Sequence, residues 1–385
     1  MRFDFATAGQ IRFGPGITTE AAREVAGLGS TAFVVTGGAS DRHAQIVAAF
    51  ADQGLGSVSC SVTTEPTTEI VSAAVAAARQ AGADLVIGIG GGSVIDTGKV
   101  VAAMLTNDGA LEDYLEVVGA GQPVRHPAVP YVAIPTTAGT GAEVTRNAVL
   151  CVPEKKVKVS MRSPFLLPRL ALVDPLLTHS MPPELTASTG LDALTQLAEA
   201  FVSNKANPLT DGLCREGLQR AGRSLRRAFE DGNDSQARED MALASLFSGL
   251  ALANAKLGAV HGFAGPLGGM TDVPHGVVCG RLLPLVIEAN VRALRERAAD
   301  SPALARHDEV ARFLTGNSDA TASDAVAWIQ QLCATFALPG LGRFGLTEDD
   351  LPTAVAKAQK ASSMKGNPIE LTESELRAIH ARALD

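Results

Sequence analysis

One segment, residues 84–99 with the sequence DLVIGIGGGSVIDTGK, restricts the possible folds of this chain more than any other. Its apolar residues 85–87 show no polar alternation, which predicts a strand buried on both faces, as in a parallel sheet. The glycines that follow expose backbone N–H groups, and Ser93 is in a position to cap a helix whose positive end favours anions. The segment predicts a phosphate-binding turn. The alternative is a tight turn without a ligand, because the spacing GxGxxS lacks the last glycine of the dinucleotide fingerprint.

Two other apolar strands end in similar turns. Residues 32–36 are followed by Gly37, Gly38 and Ser40, where an NAD-specific fold would carry an acidic residue for the adenosine ribose. Residues 131–134 are followed by PTTAGTGAEVT at 135–145, a glycine turn rich in threonine. Because the ends of parallel strands meet at one edge of a sheet, these turns are expected to form the walls of one nucleotide site.

The order of the elements predicts two domains. Strands at 57–62 and 170–173 and helices at 67–81 and 93–105 continue a β-α-β-α rhythm, which is typical of a parallel sheet covered by helices. An early strand or strand pair is expected at 2–12. From residue 183 the periodicity is helical throughout. We therefore expect an α/β nucleotide-binding domain at 1–180 and an all-α domain at 181–385.

Composition narrows the class of protein. The chain has 385 residues, of which 46% are hydrophobic and 19% charged, enough for large cores. A net charge of −8 argues against a nucleic-acid surface. The charged N-terminal residues do not resemble a signal peptide, and the most apolar segment, 241–255, is too short for a membrane span. Five dispersed cysteines favour reduced thiols, so a cytoplasmic location is expected.

A cluster of candidate metal ligands lies in the helical half. Asp192 and Gln196 are four residues apart and therefore share one face of a helix, while His261 and His275 lie in a glycine-rich apolar region. Oxygen and imidazole donors of this kind suit a divalent transition metal such as Fe²⁺ or Zn²⁺. The alternative is a capping aspartate, a hydrogen-bonded glutamine and two packed histidines.

Together these motifs resemble the iron-containing (group III) alcohol dehydrogenase family, which shares its architecture with dehydroquinate synthase. The resemblance rests on GGGSVIDTGK at 90–99, PTTAGTGAEVT at 135–145, STGLDALTQLAEAFVS at 188–203, the segment 261–275 and GNPIELTESEL at 366–376. It implies hydride transfer between NAD(P) and a small alcohol or aldehyde whose carbonyl is polarised by a divalent metal. It also implies a homodimer, and the composition leads us to expect neither a nucleic-acid nor a membrane partner.

The resemblance assigns roles residue by residue. Lys158 is the implied catalytic residue and would also reach the nicotinamide ribose. The implied metal ligands are Asp192, Gln196, His261 and His275. The residues assigned to the cofactor are Gly37, Gly38, Ser40, Glu65, Pro66, Gly90, Gly91, Gly92, Ser93, Asp96, Thr136, Thr137, Thr140 and Lys158.

Two departures from the family pattern bear on function. Gln196 stands where relatives have a histidine ligand, which predicts weaker binding or a different metal. Gly265 stands where relatives have a histidine beside the substrate, so the proton relay is left unassigned. Apolar residues Leu257, Val260 and Phe263 are expected to face the substrate pocket.

Three alternatives follow from these departures. The first is a metal-free reductase of an activated oxo acid, similar to maleylacetate reductase, in which Lys158 or Arg162 binds the carboxylate. The second is a non-redox metalloenzyme similar to dehydroquinate synthase, and the third is a nucleotide-binding protein without chemistry. If the protein is a dehydrogenase, Gly37 predicts that it accepts NADP and also uses NAD.

Overall fold

The computed structural model describes residues 2–38, 43–155 and 157–385. The chain divides into two compact units. An α/β unit comprises residues 6–137 and 141–178, and a helical unit comprises residues 179–385 with Ala138–Thr140 and the residues before Ala6. The fold class expected from the sequence, a parallel α/β half followed by a helical half, is confirmed.

The α/β unit contains eight strands and five helices in its described part. The strands are β1 (Ile11–Phe13), β2 (Thr31–Thr36), β3 (Gly56–Ser61), β4 (Leu85–Gly90), β5 (Tyr131–Pro135), β6 (Asn147–Val152), β7 (Val157–Arg162) and β8 (Leu170–Val173). The helices are α1 (Ile17–Glu20), α2 (Ala22–Ala26), α3 (Ala44–Ala51), α4 (Thr68–Gln80) and α5 (Gly92–Met104). Six strands form a parallel sheet in the order β1-β8-β5-β4-β2-β3, and β6 and β7 form an antiparallel hairpin.

Strand β4 shows why the sheet is parallel and covered on both faces. Leu85, Ile87 and Ile89 join one apolar core with residues of α2 and α3. Val86 points the other way into a second core with residues of α4 and α5. Since successive side chains of a strand alternate between faces, an unbroken apolar run is stable only where helices pack on both sides.

The register brings three strand ends to one edge of the sheet. Gly90 at the end of β4 is opposite Pro135 of β5, and Ile89 is opposite Thr36 of β2. The chain leaves β2 toward β3 on one side and leaves β4 toward β5 on the other. This reversal of strand order is where open α/β sheets bind ligands.

Two expectations about strands were wrong or incomplete. Within residues 2–12 only the last two residues are in a strand, β1, because its partner β8 has four residues and pairs with Ile11–Phe13 alone. The β6–β7 hairpin was missed, although Val157–Arg162 alternates apolar and polar residues as a half-exposed strand does.

The described part of the helical unit has nine α-helices packed around one apolar core. They are α6 (Pro183–Val202), α7 (Pro208–Glu230), α8 (Ser235–Ala255), α9 (Ala259–Met270), α10 (His275–Arg297), α11 (Pro302–Thr315), α12 (Ala322–Thr335), α13 (Leu351–Lys360) and α14 (Glu373–Ala383). No strand follows β8 in the described part of the chain. The predicted pocket residues Leu257, Val260 and Phe263 are instead buried in this core, so that expectation was wrong.

Hydropathy identifies no single described helix that is long and apolar enough to cross a membrane. Among the described residues, α8 and α9 are long and apolar enough when taken together, but a bend of 100° separates the two helices.

Candidate functional site

The predicted phosphate turn lies between β4 and α5. Gly91 is the N-cap residue, with φ −76° and ψ −174°, and no side chain caps the helix. Ser93 is the second helical residue, so its predicted capping role is wrong: the helix has already begun at Gly92. The first N–H groups of α5 are therefore not taken by a capping side chain, and a helix end of this kind attracts anions.

Gly91 leaves space that a larger residue would fill. A Cβ atom added there would lie 3.4 Å from Thr137 Cγ2, an ordinary van der Waals distance, and 3.5 Å from Thr137 Oγ1. The neighbouring Thr136 N–H donates to the Gly90 carbonyl over 3.0 Å. The β4 and β5 turns are thus joined at the sheet edge as the sequence indicated. Thr140 is exposed and belongs to the helical unit.

Asp96 and Lys99 form a buried ion pair on α5. Lys99 Nζ donates to Asp96 Oδ1 at 3.1 Å, to Thr145 Oγ1 at 2.9 Å and to the Asn147 carbonyl at 2.7 Å. The other Asp96 oxygen accepts the Val149 N–H at 2.9 Å. Both carboxylate oxygens are used inside the protein, so Asp96 fixes α5 against β6, while the contact with nucleotide expected of it stays a prediction.

A third charged residue, Glu143, is buried beside this pair, and burial raises its pKa to about 7. The folded protein therefore holds a proton that the unfolded chain loses near its ordinary pKa of 4.5. Between these values the free energy of unfolding falls as pH rises. We expect Glu143→Gln to stabilise the protein by up to about 3 kcal/mol near pH 8 and by almost nothing near pH 4.

Urea unfolding of both proteins across this pH range measures the effect. The matched control is Glu154→Gln, an exposed residue of the same unit, which should change stability little at any pH. A gain for Glu143→Gln that is equal at both ends of the range would contradict the buried-carboxyl account.

A second cluster joins three predicted cofactor residues. Lys158 Nζ on β7 lies 2.5 Å from Glu65 Oε1, and Cys151 Sγ on β6 donates to Glu65 Oε2 over 3.1 Å. The Cys151 N–H donates to the Pro66 carbonyl over 2.8 Å. The loop after β3 and the β6–β7 hairpin are therefore held together, and this arrangement gives the Lys158 ammonium a fixed position.

The turn after β2 carries the predicted ribose site. Gly37 follows the strand directly, and a Cβ added to it would meet no atom of the described residues within 4 Å. Its carbonyl accepts a hydrogen bond from Ser61 Oγ at 3.1 Å. A Cβ on Gly38 would lie 3.2 Å from Thr63 Cγ2. Ser40 lies outside the described residues.

The candidate metal centre is built by three helices of the helical unit. Asp192 lies in the middle of α6, His261 in the first turn of α9 and His275 at the start of α10. His261 Nε2 is 3.2 Å and His275 Nε2 is 3.6 Å from Asp192 Oδ1. One ligand atom of each, together with Cys279 Sγ, lies within 4.8 Å of all the others. The structure thus brings the predicted aspartate and both histidines together.

Glu199 orients His261. Its Oε2 lies 2.6 Å from His261 Nδ1, and its two oxygens accept the N–H groups of Val260 at 2.7 Å and of His261 at 3.3 Å. Since the carboxylate accepts every one of these bonds, Nδ1 carries a proton, and Nε2 is the ring nitrogen that faces Asp192 and is left to bind a metal. This is the arrangement by which carboxylates hold metal-binding histidines.

Gln196 lies one turn after Asp192, as predicted, and its Nε2 donates to Asp192 Oδ1 over 3.1 Å. Its Oε1 is buried without a hydrogen-bond partner among the described residues. Burial alone would raise the pKa of Asp192, but the neighbouring His275 charge and the His261 hydrogen bond outweigh it and lower that pKa. An ionised carboxylate, two imidazoles and an unpaired amide oxygen fit a divalent cation.

Sequence reasoning missed two residues of this centre, Glu199 and Cys279. Each lies on the same helix face as a residue that was identified: Glu199 is seven residues after Asp192, and Cys279 is four after His275. That spacing was the available signal. Cys279 is fully buried, and burial raises the pKa of its thiol to about 12.

Gly265 leaves open space beside the centre. It lies one turn after His261 on α9, and an added Cβ would meet nothing within 4 Å in the described part of the chain. His275 is the most exposed of the clustered residues, with 36% of its side chain accessible. The metal ligands on α6 are therefore buried, whereas the space next to Gly265 on α9 is not filled by described residues.

Comparisons with known proteins agree with this architecture. Residues 8–175 match the family model for iron-containing alcohol dehydrogenase, and residues 186–384 match the C-terminal model of the same family. The chain is 38% identical to long-chain-alcohol dehydrogenase 1 of Geobacillus thermodenitrificans over 84% of this chain and 80% of that protein. It is 39% identical to 1,3-propanediol dehydrogenase of Klebsiella pneumoniae over 79% and 77% of the two chains.

A solved structure, the alcohol dehydrogenase from Oenococcus oeni, superposes with a TM-score of 0.90 at 31% identity over 99% of this chain and 100% of that one. The family implies NAD(P) and a divalent metal. The chain belongs to the iron-containing alcohol dehydrogenase family and is an oxidoreductase that acts on CH–OH groups.

Proposed function

We propose that this enzyme interconverts small alcohols and aldehydes, with NADP or NAD as the hydride carrier and a divalent metal at the Asp192 cluster. In the reductive direction a bound reduced nicotinamide would supply a hydride to the carbonyl carbon, and a proton would go to the carbonyl oxygen. The observation that carries the proposal is the convergence of Asp192, His261 and His275 on one point in a chain of this family.

In this proposal Asp192, His261 and His275 hold the ion, and Gln196 is the further ligand that the resemblance implies. A divalent ion bound there would polarise the carbonyl oxygen as a Lewis acid. Glu199 binds the Nδ1 proton of His261 and so directs Nε2 at the site. The space at Gly265 gives the substrate room beside His261.

The α/β unit is proposed to bind the nucleotide. The uncapped start of α5 at Gly91 supports a pyrophosphate contact, together with Gly90, Gly92 and Ser93. Thr136 and Thr137 follow the adjacent strand end, and Thr140, Glu65 and Pro66 are assigned to the same cofactor by resemblance. Lys158, fixed by Glu65, is proposed to bind the nicotinamide ribose, whose hydroxyl or a water then supplies the proton.

The metal-free alternative is less well supported by the contacts. It required Lys158 or Arg162 to bind a substrate carboxylate. Lys158 is paired with Glu65, and Arg162 Nε lies 3.1 Å from Glu116 Oε1. Neither cation is therefore free of an acidic partner.

We also propose that the enzyme is cytoplasmic and forms a homodimer.

Absorbance of NADPH and NADH with a panel of small aldehydes tests the proposed reaction. We expect aldehyde-dependent loss of absorbance, and alcohol-dependent gain in the reverse direction. Absence of both with every substrate, in protein shown to contain metal, would favour the non-redox alternatives.

NADPH is expected to be used at least as well as NADH. Gly37 puts no carboxylate where a 2′-phosphate would lie, and the space around it is open among the described residues. Gly37→Asp should shift the ratio of kcat/KM toward NADH by at least tenfold, about 1.4 kcal/mol, because like charges repel. If kcat/KM of the parent enzyme were already tenfold higher with NADH than with NADPH, the argument from Gly37 would be wrong.

A further inference from the structure

A thiol lies inside the metal cluster without a role in the family pattern. Cys279 Sγ is 3.7 Å from Asp192 Oδ1 and 3.8 Å from His261 Nε2. Cys279 is one turn after His275 on α10, so both side chains leave the same face of the helix. The thiol is fully buried and belongs to the helical unit.

Four of the six distances among these atoms match those around a tetrahedral ion, and all six are within 4.8 Å. With metal–oxygen and metal–nitrogen bonds near 2.1 Å and a metal–sulfur bond near 2.3 Å, the edges of the tetrahedron are about 3.4 Å for N–O pairs and about 3.6 Å for pairs with sulfur. The observed N–O distances are 3.2 and 3.6 Å, and the observed sulfur distances are 3.7 and 3.8 Å. Each separation is within a few tenths of an ångström of that geometry.

Gln196 is the competing donor for the fourth position. Its amide N–H donates to Asp192, while its Oε1 is buried without a hydrogen-bond partner among the described residues and is the atom that could bind an ion. A neutral amide oxygen is also a weak ligand for a late transition metal, whereas a thiolate is a strong one. The thiolate additionally brings a negative charge, so that with Asp192 it balances a dication in a buried site.

We propose that Cys279, in place of Gln196, is the fourth protein ligand, and that the resulting O, N, N, S set selects a thiophilic ion such as Zn²⁺ over Fe²⁺ or Mn²⁺. Gln196 then acts through its hydrogen bond to Asp192. The inference rests on the proposed metal centre and changes the identity of one ligand and the preferred ion.

Cobalt substitution tests the ligand directly, because Co²⁺ bound to a thiolate shows a near-ultraviolet charge-transfer band that nitrogen and oxygen ligands do not produce. Metal-free full-length protein is titrated with Co²⁺, and both this band and the visible ligand-field bands are recorded. The parent should develop both in parallel. Cys279→Ser should lose the charge-transfer band, and Gln196→Ala should keep it.

The matched control is Cys333→Ser, which removes another buried thiol of the helical unit, one that contacts the Gly280 carbonyl. It should keep both sets of bands. In a competition assay Cys279→Ser should weaken Zn²⁺ binding by at least about 100-fold, since even changes outside the ligand set cost tenfold or more. It should weaken Mn²⁺ binding much less.

The outcomes separate the two proposals. Ligand-field bands without a charge-transfer band in the parent would overturn the role of Cys279 and leave the metal centre standing, even if Cys279→Ser did not fold. A charge-transfer band that persists in Cys279→Ser would overturn it equally. Absence of any cobalt binding by the parent would overturn both the metal centre and its fourth ligand.

Discussion

Replacement of His261 by alanine is expected to remove the bound metal and to lower kcat by about 10³-fold or more, since the polarising charge contributes several kcal/mol to lowering the barrier. We expect a large effect because both ring nitrogens of His261 contact carboxylates: Nδ1 is 2.6 Å from Glu199 and Nε2 is 3.2 Å from Asp192. Without the imidazole, two carboxylates remain buried close together with one fewer partner. Metal analysis and aldehyde turnover measure the two effects.

His307→Ala is the matched control. His307 is also a buried histidine of the helical unit, but its Nδ1 contacts the Ala303 carbonyl within its own helix, α11. The substitution should lower stability and leave metal content unchanged. Full metal content and turnover in folded His261→Ala would show that the ion binds elsewhere.

Gly91→Val is expected to raise the dissociation constant for NADPH by about 100-fold, or about 2.7 kcal/mol, with little loss of stability. A side chain there would stand at the uncapped start of α5, where the pyrophosphate must approach the backbone. The fold should tolerate it, because the added Cβ meets Thr137 only at van der Waals distance. Fluorescence titration with NADPH measures the affinity.

Gly56→Val provides the control for backbone effects. Gly56 is an exposed glycine at the start of the edge strand β3, where a β-branched residue is well accommodated. Its NADPH affinity should equal that of the parent. If Gly91→Val also bound NADPH with the affinity of the parent, the pyrophosphate would not bind at the start of α5.

The sequence predicted the elements whose signals are local. Residues 85–87 lie in a strand buried on both faces, as their unbroken apolar run predicted. The strand continues through Gly88 to Gly90, however, so that of the four glycines only Gly91 lies in the turn. Asp192 and His261 were likewise identified from residue type and spacing. The β6–β7 hairpin was missed, since a short half-exposed strand carries a weaker signal than a long amphipathic helix.

Contacts between residues that are far apart in the chain could not be predicted from the sequence. One Asp96 oxygen accepts the N–H of Val149, which is more than fifty residues away, and no local signal indicated that contact. The assignment of Asp96 to the nucleotide stays a prediction. Cys279 meets Asp192 only because α10 packs against α6. Helix periodicity gives the face on which a residue lies, and tertiary packing decides what that face meets.

The central claim is that a divalent ion at the Asp192 cluster is required for NAD(P)H-dependent turnover. The most direct measurement is the rate of aldehyde reduction by the parent enzyme after its metal is removed by chelation, and again as Zn²⁺, Co²⁺ or Fe²⁺ is added back. We predict that turnover disappears with the metal and returns in full at about one equivalent per chain. Undiminished turnover in protein shown to be free of metal would contradict the account.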